Sequence, residues 1–439
     1  MEFVDYHLET KEQFWDELED MLSSEHHSST LIEAILKSFL RFTSRYMEAY
    51  LKEDEDLLKC CYMFIDSPLF HKNRGYVRRR LITTLVKGTC TQHMILLIGI
   101  VLLLDGRENP DTLEMMEEES ACRIVIEIIW RFRGGQDVMS FRLHRIFQDL
   151  LYEMCRVQRL RYEDVAEITD DFIEYLFQEV ERNADYDSDP YCYSVIRIVL
   201  VLNEQYMLIS GHTHPDLPPI ENKVVTLLAA KGLTYKTFGS NIIILLNRER
   251  EPCLQLLILK MLFQLFTTQA TFEYFYTNDL RVLVDVFIRE LHDLSEDMET
   301  LRHTYLRVLY PLLSHTQLRH SHYKREHVLN LLRQLSGISR SAHYLPISPT
   351  TARLVNRCMN VSWLEAPHEE TKEERAAAAL GMTLAVPHRE GGLVNVGSTL
   401  SLTDVQVGLP PTPNQRKSSA TVRTRQLSDE NVGLITGEA

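Results

Sequence analysis

EPCLQLLILKMLFQLFTT, residues 251–268, decides the fold class. Pro252 stands where a helix has its first turn, a position that loses nothing by lacking an N–H. Beyond it Leu254, Leu256, Leu257, Ile258, Leu259, Met261, Leu262, Phe263, Leu265 and Phe266 leave almost no polar side. A helix that is apolar all round is buried between neighbours rather than laid on a surface. Outward from it the same period recurs. In residues 28–51 Leu31, Ile35, Leu36, Phe39, Leu40 and Phe42 form one broad stripe, with Ser29 placed to cap. In residues 161–182 Val165, Ile168, Phe172, Tyr175, Leu176 and Val180 repeat it, with acids opposite. Period-two alternation is missing over any useful length, so the chain reads as all-α. Helices arriving in pairs or triples roughly every 40 residues match armadillo/HEAT spacing, where each unit buries its face against the next. The expected architecture is an armadillo-like α-solenoid over residues 1–363.

Two stretches depart from the pattern. Residues 105–120, DGRENPDTLEMMEEES, are acidic and read as an exposed loop or the frayed start of a helix. From Leu364 to Ala439 there is no Phe, Tyr or Trp, while Gly, Pro, Ser and Thr rise. A segment without aromatics buries too little surface to offset its ordering entropy, so 364–439 is expected to be a largely disordered tail. A short helix is expected near EETKEERAAAAL (369–380), ended by Gly381.

Charge and composition exclude several functions. The net charge of −15 over 439 residues argues against a nucleic-acid binder and against docking on anionic lipid. The longest apolar run, Met94 to Leu104, falls short of the ~20 residues needed to cross a bilayer. The first twenty residues are acidic, unlike a signal peptide, so a cytosolic chain is expected. The eight cysteines form no C-x-x-C pair and sit mostly in apolar stretches, so buried, reduced thiols are expected.

No catalytic motif is present: no Walker loop, G-x-S-x-G, H-E-x-x-H or Rossmann glycine set. His292-Asp293 has the look of a helical metal-dependent phosphohydrolase dyad, and His212 with His214, or His315, His320, His322 and His327, offer further histidines. The simpler reading is that His292 closes a helix, that GHTHPDLPP is a polar turn, and that cations beside the third cluster repel a metal. No enzyme activity, cofactor or metal is expected. In HKNRGYVRRRL (71–81), Arg78, Arg79 and Arg80 cannot all face one way on a helix, so at least one lies near the apolar side.

The triplet Thr277-Asn278-Asp279 precedes Leu280, Leu283, Val284, Phe287 and Leu291 at helical spacing. Asn278 or Asp279 is thus read as an N-cap. Arg281, Asp285 and Arg289 follow at i, i+4, i+8, a charged ridge on the opposite face.

Long strings around this ridge carry a resemblance. YCYSVIRIVLVLNEQYM (191–207), FGSNIIILLNRE (238–249), the run 254–294, LRHTYLRVLYPLLSHTQLR (301–319) and YKREHV (323–328) resemble the SPIN-ninety/WISH/DIP family, including fungal Dip/Ldb-type proteins. The match is strongest over about 165–335. It implies an armadillo-like fold and a non-enzymatic activator of the actin-related protein 2/3 (Arp 2/3) complex. Such an activator needs no mother filament, and it nucleates linear actin filaments that seed branched networks at cortical endocytic sites. Ordinary activators end in an acidic stretch with a tryptophan, whereas here the tryptophans are Trp15, Trp130 and Trp363, so activation is expected from the folded helices. The alternatives are an armadillo/HEAT adaptor that only tethers actin or endocytic partners and, more remotely, the phosphohydrolase.

Within the matching strings Leu283, Phe287, Leu306 and Leu309 are expected in the core. Arg281, Asp285, Arg289, His303, Arg307, Gln317, Arg319, Lys324 and Arg325 are the expected partner surface, with actin reached indirectly through the complex. In the tail, LPPTPNQRK (409–417) sets Pro410 and Pro413 in P-x-x-P spacing with Arg416 beyond, an SH3-ligand candidate for endocytic proteins. Ser428, between basic and acidic neighbours, is a phosphosite candidate.

Overall fold

The computed structural model describes residues 8–23, 28–182, 192–211, 217–336 and 348–365. Among them are twenty α-helices and one short 3-10 turn, with no strand, so the all-α expectation is what the structure shows. The described residues form two compact units, one reaching Val224 and the other beginning at Val225. Calls on His212 and His214, on the 369–380 helix, and on Pro410, Pro413, Arg416 and Ser428 lie outside the described residues.

In the first unit the apolar run 94–104 lies in the helix Gln92–Glu108, whose residues Ile95 to Leu103 are all buried. It packs against Val138–Val157. Gly99 lets the two approach, because a Cβ there would stand 2.7 Å from the Phe147 ring. No helix among the described residues is long and apolar enough to cross a membrane.

Residues 105–120 correct the loop expectation. Pro110–Glu118 is a helix, with Thr112, Leu113 and Met116 buried beneath its acidic outer side. Asp105 is 2 % exposed and receives Arg78 Nε at 2.7 Å and Arg78 Nη2 at 2.8 Å. Thr112 and Asn109 donate to the same carboxylate. Arg78 is thus the arginine of 78–80 that turns inward, as helical geometry demanded. A second buried network surrounds Asp149 and Glu153. Arg197 reaches Asp149 at 3.0 Å, and Arg107 reaches Glu153 at 3.1 Å. Burial still holds the Asp149 carboxyl above its usual range, against the lowering pull of Arg197 and Arg107.

Ser29 is not a cap: the helix Ser29–Tyr50 starts on it, and the preceding Ser28 hydroxyl pairs with Thr30 instead. None of the eight cysteines is in a disulfide, and six are buried. Burial pushes the Cys60 thiol up to about 12, which makes it an inert packing group.

In the second unit Pro252 is the first-turn residue of the helix Pro252–Thr267, as read, and that helix packs against Glu299–His315. Glu299–His315 packs in turn on Pro349–Met359. Thr277–Asp293 is held by Lys236–Arg248 on one side and Arg325–Leu335 on another. The folded chain runs slightly further than the aromatic count suggested. Trp363 donates its indole N–H to Leu313 O at 2.9 Å, and Leu364 is 1 % exposed.

Candidate partner-binding surface

The charged ridge lies on Thr277–Asp293. Its inner stripe, Leu280, Leu283, Val284, Val286, Phe287 and Leu291, is buried, and Leu306 and Leu309 are buried on the helix against it, as expected of core positions. Phe287 meets the Tyr305 ring edge-on at 5.0 Å. The helix begins at Thr277, and neither Asn278 nor Asp279 caps it. The Thr277 hydroxyl donates to Gln317 Oε1 at 2.6 Å, a partner forty positions away. Asp279 sits in the first turn, where its charge suits the helix dipole.

On the outer face the structure gathers Arg281 and Asp285 with Tyr323 and Lys324. The Arg281 guanidinium lies 5.5 Å from the Tyr323 ring centre. The Tyr323 hydroxyl donates to Asp285 at 3.2 Å, and Lys324 Nζ meets Asp285 at 2.8 Å. The hydrogen bond to Asp285 holds the Lys324 ammonium above its ordinary value. His322 and Lys324 have φ of +48° and +49°. These left-handed residues turn the chain sharply, so that both Tyr323 and Lys324 come against the helix. The His322 ring stacks on Trp363 at 5.4 Å.

Four of the expected surface residues make contacts within the fold. Arg289 donates to Asn247 Oδ1 at 2.8 Å and to Asn247 O at 3.2 Å, and pairs with Glu290 at 2.5 Å. Arg325 collects the carbonyls of Trp363, Leu364 and Glu365 at 3.0, 3.2 and 2.9 Å, pinning the last described residues. His303 bonds Thr351 Oγ1 at 2.9 Å, and burial lowers its imidazole against the raising effect of Glu299. Gln317 is taken by Thr277. Arg307 is half-buried, and Arg319 is exposed with its Nε–H directed to His320.

Two large apolar side chains of this unit are also exposed. Tyr276 is 60 % exposed and Leu233 is 87 % exposed. Lys236 Nζ lies 4.9 Å from the rings of both Tyr274 and Tyr276, and donates to Tyr274 O. Gly239 makes room for this arrangement, since a Cβ there would fall 2.8 Å from the Tyr274 ring. Tyr276 and Tyr323 were visible as aromatics flanking polar triplets. Exposed aromatics with a cation alongside are the residue types that anchor protein interfaces.

His292 lies in the last turn of its helix, where an imidazolium suits the dipole. His315 Nδ1 is 2.8 Å from Phe266 O, and its ring stacks on Phe272 at 5.0 Å. Among the described residues no three His, Cys, Asp or Glu side chains are gathered as metal ligands.

The family described as SPIN90/Ldb17, leucine-rich domain, matches residues 188–328, which contain this surface up to its Tyr323–Lys324 edge. Protein dip1 of Schizosaccharomyces pombe is 32% identical over 371 residues, covering 83% of this chain and 97% of that protein. Protein LDB17 of Saccharomyces cerevisiae is 26% identical, covering 81% of each chain. Protein LDB17 of Eremothecium gossypii is 24% identical, over 83% of this chain and 85% of its own.

Proposed function

The chain belongs to the SPIN90/Ldb17 family, and on that premise we propose that it binds the Arp 2/3 complex and activates it without a pre-existing mother filament. The product is a linear actin filament that seeds a branched network at cortical endocytic sites. The observation that carries the proposal is the 32% identity to Protein dip1 across nearly that protein's whole length. The action is non-enzymatic, with binding free energy replacing chemistry. A ligand shifts a conformational equilibrium only by its differential affinity, and moving a population from 1:99 to 99:1 takes ~10⁴-fold preference, or ~5.5 kcal/mol. A surface able to discriminate on that scale must be stiff. The apolar stripe of Thr277–Asp293, the Arg289–Asn247 bonds and the Arg325 clasp supply that stiffness. Arg281, Lys324, Tyr323 and Tyr276 are the side chains we assign to contact. Proline-containing residues 409–416 are assigned to SH3-domain partners.

Polymerisation of actin with purified Arp 2/3 complex and no added filaments tests the proposal. The chain is expected to abolish most of the lag. Binding to the complex with an unchanged lag would leave only a tether and would overturn activation.

A further inference from the structure

The second unit carries a strip of positive charge that the contact residues assigned above do not include. Glu299–His315 and Pro349–Met359 pack together and run in the same direction. His303 bonds Thr351 Oγ1 at 2.9 Å, and two helical turns further on the Arg357 guanidinium carbon stands 4.2 Å from the Tyr310 ring centre. Residues 303, 307 and 310 share one face of the first helix, and 353 and 357 one face of the second. Glu299 is the only acid in either helix, against Arg302, Arg307, Arg353 and Arg357, in a protein of net charge −15.

The four arginines are not used alike. Arg302 donates to Leu294 O at 3.1 Å and to Ser295 O at 2.8 Å, so the fold consumes it. Arg307 is half-buried. Arg353 and Arg357 are exposed, and among the described residues neither has an ion pair or a hydrogen bond. The Tyr310 ring orders the long Arg357 side chain while its five N–H donors keep no acceptor. A side chain already ordered loses less entropy when a partner arrives. Burial lowers the His303 imidazole, Glu299 works against that, and Arg307, Arg302 and Arg353 lower it further, so their positive field reaches across this face.

Arg353 and Arg357 lie four residues apart on one helix, about 6 Å along its axis, which is the repeat at which another helix presents carboxylates at i and i+4. The arginine fork takes a carboxylate through two parallel bonds, which a lysine does not match. A wide polyanion, such as a nucleic acid or an anionic bilayer, would also press on the acidic remainder of the chain. A short acidic segment covers the strip alone. We propose that Arg353 and Arg357, with Arg307 and Tyr310 beside them, dock an acidic helix of a partner protein, carboxylates one turn apart meeting the two exposed guanidiniums. The strip shares no residue with the Arp 2/3 contacts assigned above, so the two assignments stand or fall separately.

The test uses the full chain and a fluorescein-labelled peptide of Glu-Ala-Ala-Ala repeats as probe, read by anisotropy in about 50 mM salt, where screening is weak. Saturable binding is expected. Arg353→Ala/Arg357→Ala should weaken it at least tenfold while the melting temperature stays put, since both side chains are exposed. Arg353→Lys/Arg357→Lys should fall between, keeping the charge and losing the fork. Lys87→Ala/Arg250→Ala, which removes two exposed cations elsewhere, should change the affinity less than twofold. No binding to the unaltered chain, or equal losses from the two alanine pairs, would overturn the docking site. Equal affinity for a peptide of the same composition with its glutamates in one block would reduce the contact to net charge and overturn it too. Stronger binding of phosphatidylserine vesicles, lost with the same two arginines, would assign the strip to lipid and overturn a protein partner.

Discussion

Replacing Asp105 by alanine tests whether charge, as well as apolar packing, ties the first unit together. Its carboxylate joins three helices: Arg78 comes from Arg74–Val86, Thr112 from Pro110–Glu118, and Asp105 itself from Gln92–Glu108. Truncation leaves the Arg78 guanidinium, 5 % exposed, without its bidentate partner. Breaking a buried pair from one side costs about 3–5 kcal/mol, because the surviving charge keeps its desolvation penalty. For a unit of this size, at ~2–4 °C per kcal/mol, the melting temperature should fall by roughly 6–20 °C in a calorimetric scan. Removing both charges with Arg78→Met and Asp105→Leu should recover part of the loss, since no buried charge is then left unpaired and only the Thr112 hydroxyl and the Asn109 amide lose their acceptor. A single substitution costing under about 1 kcal/mol, or a double one no better than the single, would refute the reasoning.

The surface assignment separates two arginines of one ridge. Arg281→Glu is expected to weaken Arp 2/3 binding at least tenfold with under about 1.5 kcal/mol of stability lost, the sum of one exposed cation–π contact and one like-charge pair with Asp285. Arg289→Glu should instead lower the melting temperature, because it sets a carboxylate beside Glu290 and empties the Asn247 contacts. Burial depresses His144 from 6.5 to about 4, where it meets the Tyr175 hydroxyl. A depressed folded pKa means stability is complete above about pH 6.5 and is lost as pH falls through 4, by up to ~3 kcal/mol. His144→Gln should flatten that part of the denaturation profile between pH 7 and 4.5. Gly239→Ala should cost ~1–2 kcal/mol, overpacking against Tyr274 being only partly offset by better helix propensity.

Fold class was legible because it rests on a summed signal. Many apolar residues in Pro252–Thr267 and Gln92–Glu108 point to burial, and no single contact reverses them. Arg78 was legible for a geometric reason, since three consecutive helical residues span 200° of the surface. Residues 110–118 were missed because their acids outnumber the two apolar residues, Leu113 and Met116, that seat the helix. The cap reading of Asn278 or Asp279 failed on a long-range contact: Gln317 takes the Thr277 hydroxyl, and nothing near position 277 signals it. The geometry of the charged ridge was legible only in part. Spacing put Arg281, Asp285 and Arg289 on one face, yet spacing does not say which arginine finds a carbonyl. Arg289 and Arg325 found theirs on other elements. The exposure of Tyr276 and Leu233 was hidden by the assumption that exposed faces are polar.

Direct imaging of single actin filaments, with labelled chain, Arp 2/3 complex and monomeric actin, goes to the heart of the proposal. New filaments should start free in solution, unbranched, each with one labelled spot at a stationary end, and should vanish when the complex is omitted. Filaments that arise only as branches on older filaments, or at a rate indifferent to the chain, would contradict it.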